Sequence, residues 1–190
     1  MPRPLPTVTA AIAAVLAAVF LLAPLPAAAN MTIRFEKEVV ENIRDGNAQG
    51  LTSYLLGGGN PGATDNEGQP LLVVAARTNR PEMIGQLLQH GARVEAPDRL
   101  GNTALYWAAE IGHGAVVERL LAGGAKPNTQ NRQGVTPLMA AARNGHVNVV
   151  RLLVQAGGDP RLSDYTGRDA FGWAGGARAS QVTAELNKAR

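Results

Sequence analysis

The sequence lacks cysteine, and aromatic residues make up only 4% of its 190 residues. The absence of a thiol excludes a disulfide framework, a thiolate metal site and a cysteine nucleophile. Neither a G-x-S-x-G nucleophile elbow nor an HExxH zinc motif is present. We therefore expect no enzymatic activity; a small hydrolase with an unrecognised site is the alternative from another functional class.

Charged residues are also scarce. They make up 17% of the chain, and the formal net charge is +3. A nucleic-acid-binding surface needs a concentrated basic field, so we expect no nucleic-acid partner. The three histidines, at positions 90, 113 and 146, show no close metal-ligand spacing. We accordingly expect no metal and no cofactor.

The long apolar run of the sequence lies near its start. Residues 8–22 are apolar except for Thr9; Arg3 precedes them, and three alanines at 27–29 follow. This order is typical of a secretory signal peptide, and the run is shorter than the roughly 20 residues that span a bilayer. We predict that residues 1–29 are removed after Ala29. In a bacterium the mature protein would then be periplasmic or secreted, with membrane contact only during export.

Two other interpretations of the N-terminus are open. An uncleaved segment would make the protein a membrane-anchored adaptor. A start at Met31 would leave a cytosolic protein. The lack of cysteine fits either compartment, so the signal-like segment alone supports export.

Glycine, by contrast, is abundant and recurs at a fixed interval. Glycines that follow a polar turn lie 33 residues apart, at Gly68, Gly101, Gly134 and Gly167. Each precedes a helix-opening triplet, at 70–72, 103–105, 136–138 and 169–171, and then a pair of small residues. Further glycines close three of the units, at Gly91, Gly124 and Gly157. A fixed period in this range indicates stacked structural repeats.

Positions 33 residues apart are equivalent in this register, and we call each such set a column. The columns resemble the ankyrin repeat, whose pattern is roughly D-x-x-G-x-T-P-L-H-x-A-A-x-x-G-H, followed by an apolar helix that ends in L-L and G-A. The family's Gly-His pair stands at 112–113 and 145–146, whereas Asn79-Arg80 replaces it in the first full repeat. The histidine after the triplet is replaced in every unit, by Val73, Tyr106, Met139 and Gly172. The resemblance implies an all-α solenoid of helix-turn-helix units joined by β-hairpin-like loops. It also implies structural hydrogen bonds for His113 and His146, and interior positions for Trp107 and Trp173.

Elementary packing arguments agree with this fold class. In the second helix of each unit, apolar residues recur at helical spacing, as in Val116, Val117, Leu120 and Leu121. One helix pair cannot bury such a stripe alone, so neighbouring units must stack. We expect Leu120 and Leu153 to be deeply buried, and Gly124 to have a positive φ.

The register divides the chain into six segments. After the signal peptide, residues 30–64 form a degenerate N-terminal capping repeat with a charged first helix. Full ankyrin repeats occupy 65–97, 98–130 and 131–163, and residues 164–190 form a C-terminal capping repeat. Terminal repeats need one solvated outer face, which explains their poorer match to the pattern.

The resemblance also implies where a partner protein would bind. In ankyrin-like stacks, the hairpin tips and the exposed side of the first helices form a concave groove. Transferring these columns gives the expected contact residues: Arg77, Arg99, Leu100, Asn102, Glu110, Ile111, Arg132, Gln133, Val135, Arg143, Tyr165 and Arg168.

Arginine predominates on this face, so we expect a partner with an acidic surface and an apolar centre at Leu100 and Ile111. An ordinary solvated face is the alternative interpretation of the same residues. The sequence thus predicts a monomeric, non-catalytic interaction module or scaffold in an exported compartment.

Overall fold

The computed structural model describes residues 37–189, so the predicted signal peptide at 1–29 lies outside the described residues. The described part of helix α1 covers 37–45. Nine further α-helices follow within this range: α2 (Ala48–Leu56), α3 (Leu71–Arg77), α4 (Pro81–Gln89), α5 (Ala104–Ile111), α6 (Gly114–Ala122), α7 (Pro137–Arg143), α8 (Val147–Gln155), α9 (Ala170–Trp173) and α10 (Ala179–Leu186). Short 3₁₀ turns occupy Gly176–Arg178 and Asn187–Ala189. Residues 37–189 contain no strand, only an isolated antiparallel bridge between Thr64 and Pro70.

The helices stack in two rows. One row consists of α3, α5, α7 and α9, each in contact with the next. The other consists of α2, α4, α6, α8 and α10. The hydrophobic core runs continuously between the rows, because the apolar stripe of each helix packs against neighbouring helices in both. This arrangement confirms the predicted all-α solenoid.

Side-chain caps begin several helices of the first row. The Thr103 hydroxyl accepts a hydrogen bond from the backbone N–H of Tyr106 at 3.3 Å, and Thr136 accepts one from Met139 at 3.2 Å. Pro137 then occupies the first turn of α7, where its missing N–H has no partner to lose. The helix starts predicted from the sequence therefore have a local physical cause.

The core positions expected from the helical stripe are confirmed. Leu120 and Leu153 have no exposed surface. Gly124, just beyond the end of α6, has a φ of 87°, a left-handed conformation that glycine adopts without steric cost. The apolar stripe and the closing glycine thus set the stacking and the end of each second helix.

A carboxylate or amide oxygen organises each hairpin between units. Asp98 Oδ1 accepts hydrogen bonds from the backbone N–H groups of Leu100 at 2.8 Å and Asn102 at 2.9 Å. The same pair of bonds forms at the equivalent residues, Asp65, Asn131 and Asp164. Neighbouring hairpins are also joined directly, as where the Arg132 N–H donates to the carbonyl of Leu100 at 3.2 Å.

The turn between paired helices explains one departure from the repeat pattern. His146 Nε2 lies 3.0 Å from the carbonyl oxygen of Glu110, which can only accept, so the ring nitrogen donates. This confirms the structural role predicted for His146. Arg80 stands where the pattern has histidine, and its Nη2 donates to the carbonyl of Arg44 at 2.8 Å. Arg80 therefore makes the equivalent link to the preceding unit.

Candidate protein-interaction face

We call the hairpin tips, which include Arg99, Arg132 and Tyr165, together with the solvent-facing side of the first-row helices, which includes Arg77, Glu110 and Arg143, the groove face. Its tips are built on glycine turns. A Cβ at Gly68 would lie 2.7 Å from Arg99 Nε, and one at Gly134 would lie 2.8 Å from Tyr165 Cδ1. The side chain of each tip thus covers the turn of the preceding hairpin, which fixes the spacing of the tips.

Two of the tip side chains carry charge without an opposite charge beside it. Arg99 and Arg132 are exposed and occupy the same column of adjacent units. Within residues 37–189, no ion pair joins either guanidinium to a carboxylate. Leu100, next to Arg99, is 63% exposed, and Tyr165 is 76% exposed. The tips therefore combine free positive charge with exposed apolar surface.

A recurring arrangement of arginine, tryptophan and aspartate lies behind the tips. Trp107 Nε1 donates to Asp98 Oδ2 at 2.8 Å, and the guanidinium of Arg77 stacks 4.4 Å above the indole. The same set recurs 66 residues later in Arg143, Trp173 and Asp164, with distances of 2.9 Å for the hydrogen bond and 5.1 Å for the stack. A guanidinium over an indole face is attracted by the ring quadrupole.

The two indoles are only half-buried. The sequence-based expectation of interior tryptophans is therefore correct only in part. Each ring packs against the core and also has an arginine of the groove face stacked over it. Arg168 also lies over the Trp173 ring, 4.0 Å from its centre.

Glu110 and Arg143 neutralise each other. Their side chains, on adjacent first-row helices, form an ion pair with Nη2 2.5 Å from Oε1. Burial lowers the pKa of Arg143, but the hydrogen bonds and charges of Glu110 and Tyr106 together raise this pKa above its ordinary value. This pair leaves the tip arginines as the more available charges for a partner.

Two residues predicted to contact a partner are buried instead. Asn102 and Val135 are each only 4% exposed. Both occupy the last position of their hairpin, directly before the N-cap residue of a first-row helix. Asn131 Nδ2, for example, donates to Asn102 Oδ1 at 2.8 Å. The prediction that these two side chains face solvent is wrong; Asn102 links two adjacent hairpins, and Val135 belongs to the hydrophobic core.

The predicted apolar centre is also divided. Leu100 lies in the hairpin before α5, whereas Ile111, which is 39% exposed, is the last residue of that helix. An eight-residue helix is about 12 Å long at about 1.5 Å per residue. Leu100 and Ile111 therefore form two separate apolar patches at opposite ends of α5. Gln133 is exposed at its hairpin tip, as predicted from its column.

Sequence reasoning missed a further part of the groove face. Arg44 forms an ion pair with Asp65, with Nη2 3.3 Å from Oδ2. Both residues line a cavity of about 350 Å³ with Thr78 and Ile111. Arg44 stands 33 positions before Arg77 in the same column, and this spacing is the signal that could have found it. The charged composition of the first helix is equally typical of a solvated cap, which hides this column.

In the part of the chain that the structure describes, no group of three or more histidine, aspartate or glutamate side chains could hold a metal ion. Among the same residues, no helix is both long and apolar enough to cross a membrane.

Comparison with known proteins agrees with the geometry. A family model described as ankyrin repeats (3 copies) matches residues 42–131 and 112–183. A comparison with curated proteins found no significant match. Ankyrin repeats are generally protein–protein interaction modules and are typically not enzymes. With well over half of its length matched by this model, the chain belongs to the ankyrin-repeat family.

Proposed function

We propose that this protein is a non-catalytic interaction module that binds a partner protein through its groove face in an exported compartment. The partner presents an acidic surface to the hairpin tips. The observation that carries this proposal is the adjacent pair Arg99 and Arg132, exposed and without an ion pair in the described residues.

Complementary charge on two surfaces increases the rate at which they meet and favours the correct partner. Leu100, beside Arg99, supplies exposed apolar area that a bound partner would remove from water. Buried apolar contacts slow dissociation, whereas charges at the rim mainly affect association. The tips thus combine, within a few residues, charge that speeds association and apolar area that slows dissociation.

Cross-linking in the native compartment, followed by affinity capture of the full chain, tests this function. Arg99→Glu combined with Arg132→Glu should remove the captured partner. Arg119→Glu with Arg161→Glu makes the same charge change on α6 and in the loop after α8, outside the tips at Arg99 and Arg132, and should retain it. Arg151 is unsuitable for this control because it pairs with Glu185 of α10 at 3.3 Å. Loss of the partner only in the control variant would refute the proposed face.

Export has its own test. Mass spectrometry of the mature protein should find Asn30 at the N-terminus if cleavage follows Ala29. A chain that retains residue 1 would indicate the membrane-anchored alternative, and one that begins at Met31 would indicate the cytosolic alternative. The proposal for the groove face does not depend on this result.

A further inference from the structure

The arginine–tryptophan–aspartate arrangement has a third position in which the tryptophan is missing. Moving Arg77, Trp107 and Asp98 back by one repeat gives Arg44, Val74 and Asp65. Arg44 and Asp65 keep the identities and places of their equivalents. Val74 is much smaller than an indole, so this repeat has the charged partners of the ring without the ring.

Open space is found at this position. The cavity of about 350 Å³ is lined by Arg44, Asp65 and Val74. The other lining residues come from the adjacent hairpin and from the C-terminal ends of helices α3 and α5: Glu67, Gln69, Arg77, Thr78 and Ile111. The buried Val74 and the partly exposed Ile111 are its apolar lining, and Asp65, Glu67 and Gln69 bring acceptor oxygens to it, with Asp65 Oδ2 facing Arg44. The lining therefore combines apolar surface, a guanidinium and a carboxylate oxygen, as at the two tryptophan sites.

We propose that this cavity, which we call the Val74 pocket, binds a tryptophan side chain of the partner protein. This inference rests on the proposed function, since it assigns one anchor residue of the partner to the groove face. The bound indole takes the place that Trp107 and Trp173 occupy in their own repeats. Its N–H donates to Asp65 Oδ2, and Arg44 stacks over its ring.

The existing Arg44–Asp65 contact does not prevent this exchange. The Asp65 side chain is only 4% exposed, but the Arg44 side chain is 53% exposed, and the two atoms are 3.3 Å apart. Ion pairs with a solvated partner contribute little stability. In the two occupied sites, the arginine stacks on the ring while the aspartate accepts from the indole. Arg44 can make the same change when an indole enters.

The chemistry of the pocket favours tryptophan over other anchors. Phenylalanine has no donor for the buried Asp65 oxygen. An ionised aspartate or glutamate has none either, although Arg44 and Arg77 would attract its charge. Tryptophan offers both an N–H donor and the aromatic face that attracts a guanidinium most strongly. Tryptophan is also among the residues that most often dominate binding at protein interfaces.

The pocket can be tested without the partner. Titration of the full chain with N-acetyltryptophanamide, followed through the methyl signals of Val74 and Ile111, should give saturable ring-current shifts. N-acetylphenylalaninamide should bind about threefold to tenfold more weakly, because it lacks the hydrogen bond. Absence of saturable shifts at both methyl groups would overturn the assignment, as would tighter binding of the phenylalanine probe or of N-acetylaspartamide.

Substitutions supply the matched controls. Val74→Trp should place an indole in the pocket from within and abolish binding of the tryptophan probe, whereas Val74→Ile should leave binding nearly unchanged. Arg44→Met keeps the apolar stem without the charge, and it should weaken binding about threefold or more if the stack forms. Equal probe binding by the wild type, Val74→Trp and Arg44→Met would refute the pocket even if one variant were less stable.

The two proposals fail in different ways. If N-acetyltryptophanamide binds at Val74 but no partner is captured by the tips, the proposed function fails and the pocket stands as an indole site. If a partner is captured through Arg99 and Arg132 and the probe does not bind, the anchor assignment alone is wrong.

Discussion

The indole Nε1 of Trp173 donates to Asp164 Oδ2 at 2.9 Å, while the Thr166 hydroxyl donates to Asp164 Oδ1 at 2.6 Å. These bonds favour the ionised carboxylate and lower the pKa of Asp164 to about 2. The Thr166 hydroxyl contributes most. Burial opposes the shift, and the backbone N–H groups of Arg168 and Thr166 and the indole add to it. The stability of the last hairpin of the stack therefore depends on the ionisation of Asp164, and so on the pH.

This linkage predicts acid sensitivity with a defined direction. An unfolded aspartate titrates near pH 4, so the stabilisation from ionised Asp164 is complete above about pH 4 and is lost as the pH falls toward about 2. Asp164→Asn should reduce this part of the pH dependence, because an amide oxygen can still accept the hairpin bonds, as Asn131 does. Urea unfolding between pH 2 and pH 5, monitored by tryptophan fluorescence, should show a smaller change for the variant. An identical pH profile for both proteins would contradict this assignment.

A core substitution tests the stacking. Leu153 has no exposed surface, so Leu153→Ala should reduce the free energy of unfolding by about 2–5 kcal/mol. Leu100→Ala is the matched control; Leu100 is 63% exposed, and its loss should change stability by no more than about 0.5 kcal/mol. Urea melts measure both. A loss below about 1 kcal/mol at Leu153 would argue against its place between the repeats.

The left-handed turn after α6 gives a backbone prediction. Gly124 has a φ of 87°, and a Cβ added there would meet no atom within 4 Å, so Gly124→Val is penalised by conformation alone. The cost should exceed about 1–2 kcal/mol, since a β-branched side chain is strained there. Ala122→Val, at an exposed position in the helix, should cost less than about 1 kcal/mol. If thermal melts show an equal loss of stability for both variants, the left-handed turn is not the reason for glycine at position 124.

Binding kinetics should separate the two kinds of tip residue. Once a partner is identified, Arg99→Glu with Arg132→Glu should slow association by about tenfold and flatten its dependence on ionic strength. Leu100→Ala with Ile111→Ala should mainly increase the dissociation rate. Surface plasmon resonance at several salt concentrations distinguishes these effects. Normal rates in both double variants would place the interface elsewhere on the solenoid.

Much of the architecture could be predicted from one repeat unit. Local rules explain the glycines of the turns at Gly101 and Gly134, the apolar stripe around Leu120 and the left-handed Gly124. A turn, a helix face and a left-handed residue each constrain the sequence close to them. Such constraints repeat in every unit and reinforce one another. The all-α solenoid was therefore predictable before any contact was known.

The groove face was less predictable because its side chains are directed by neighbouring units. Asn102 and Val135 have hairpin positions that an alignment of the repeats takes as exposed, yet both are buried in the stack. Arg77 reaches Trp107 in the next unit, a contact between residues 30 positions apart. No local rule specifies such a contact.

Sequence alone determined the repeat, its period, its core and its left-handed turns, because these depend on residues within one turn or helix. Tertiary stacking decided which arginines are paired, which hairpin side chains are buried and where space is left. Arg44 and Asp65 meet only because the first two units pack together, and Val74 leaves the space that an indole fills in two later repeats.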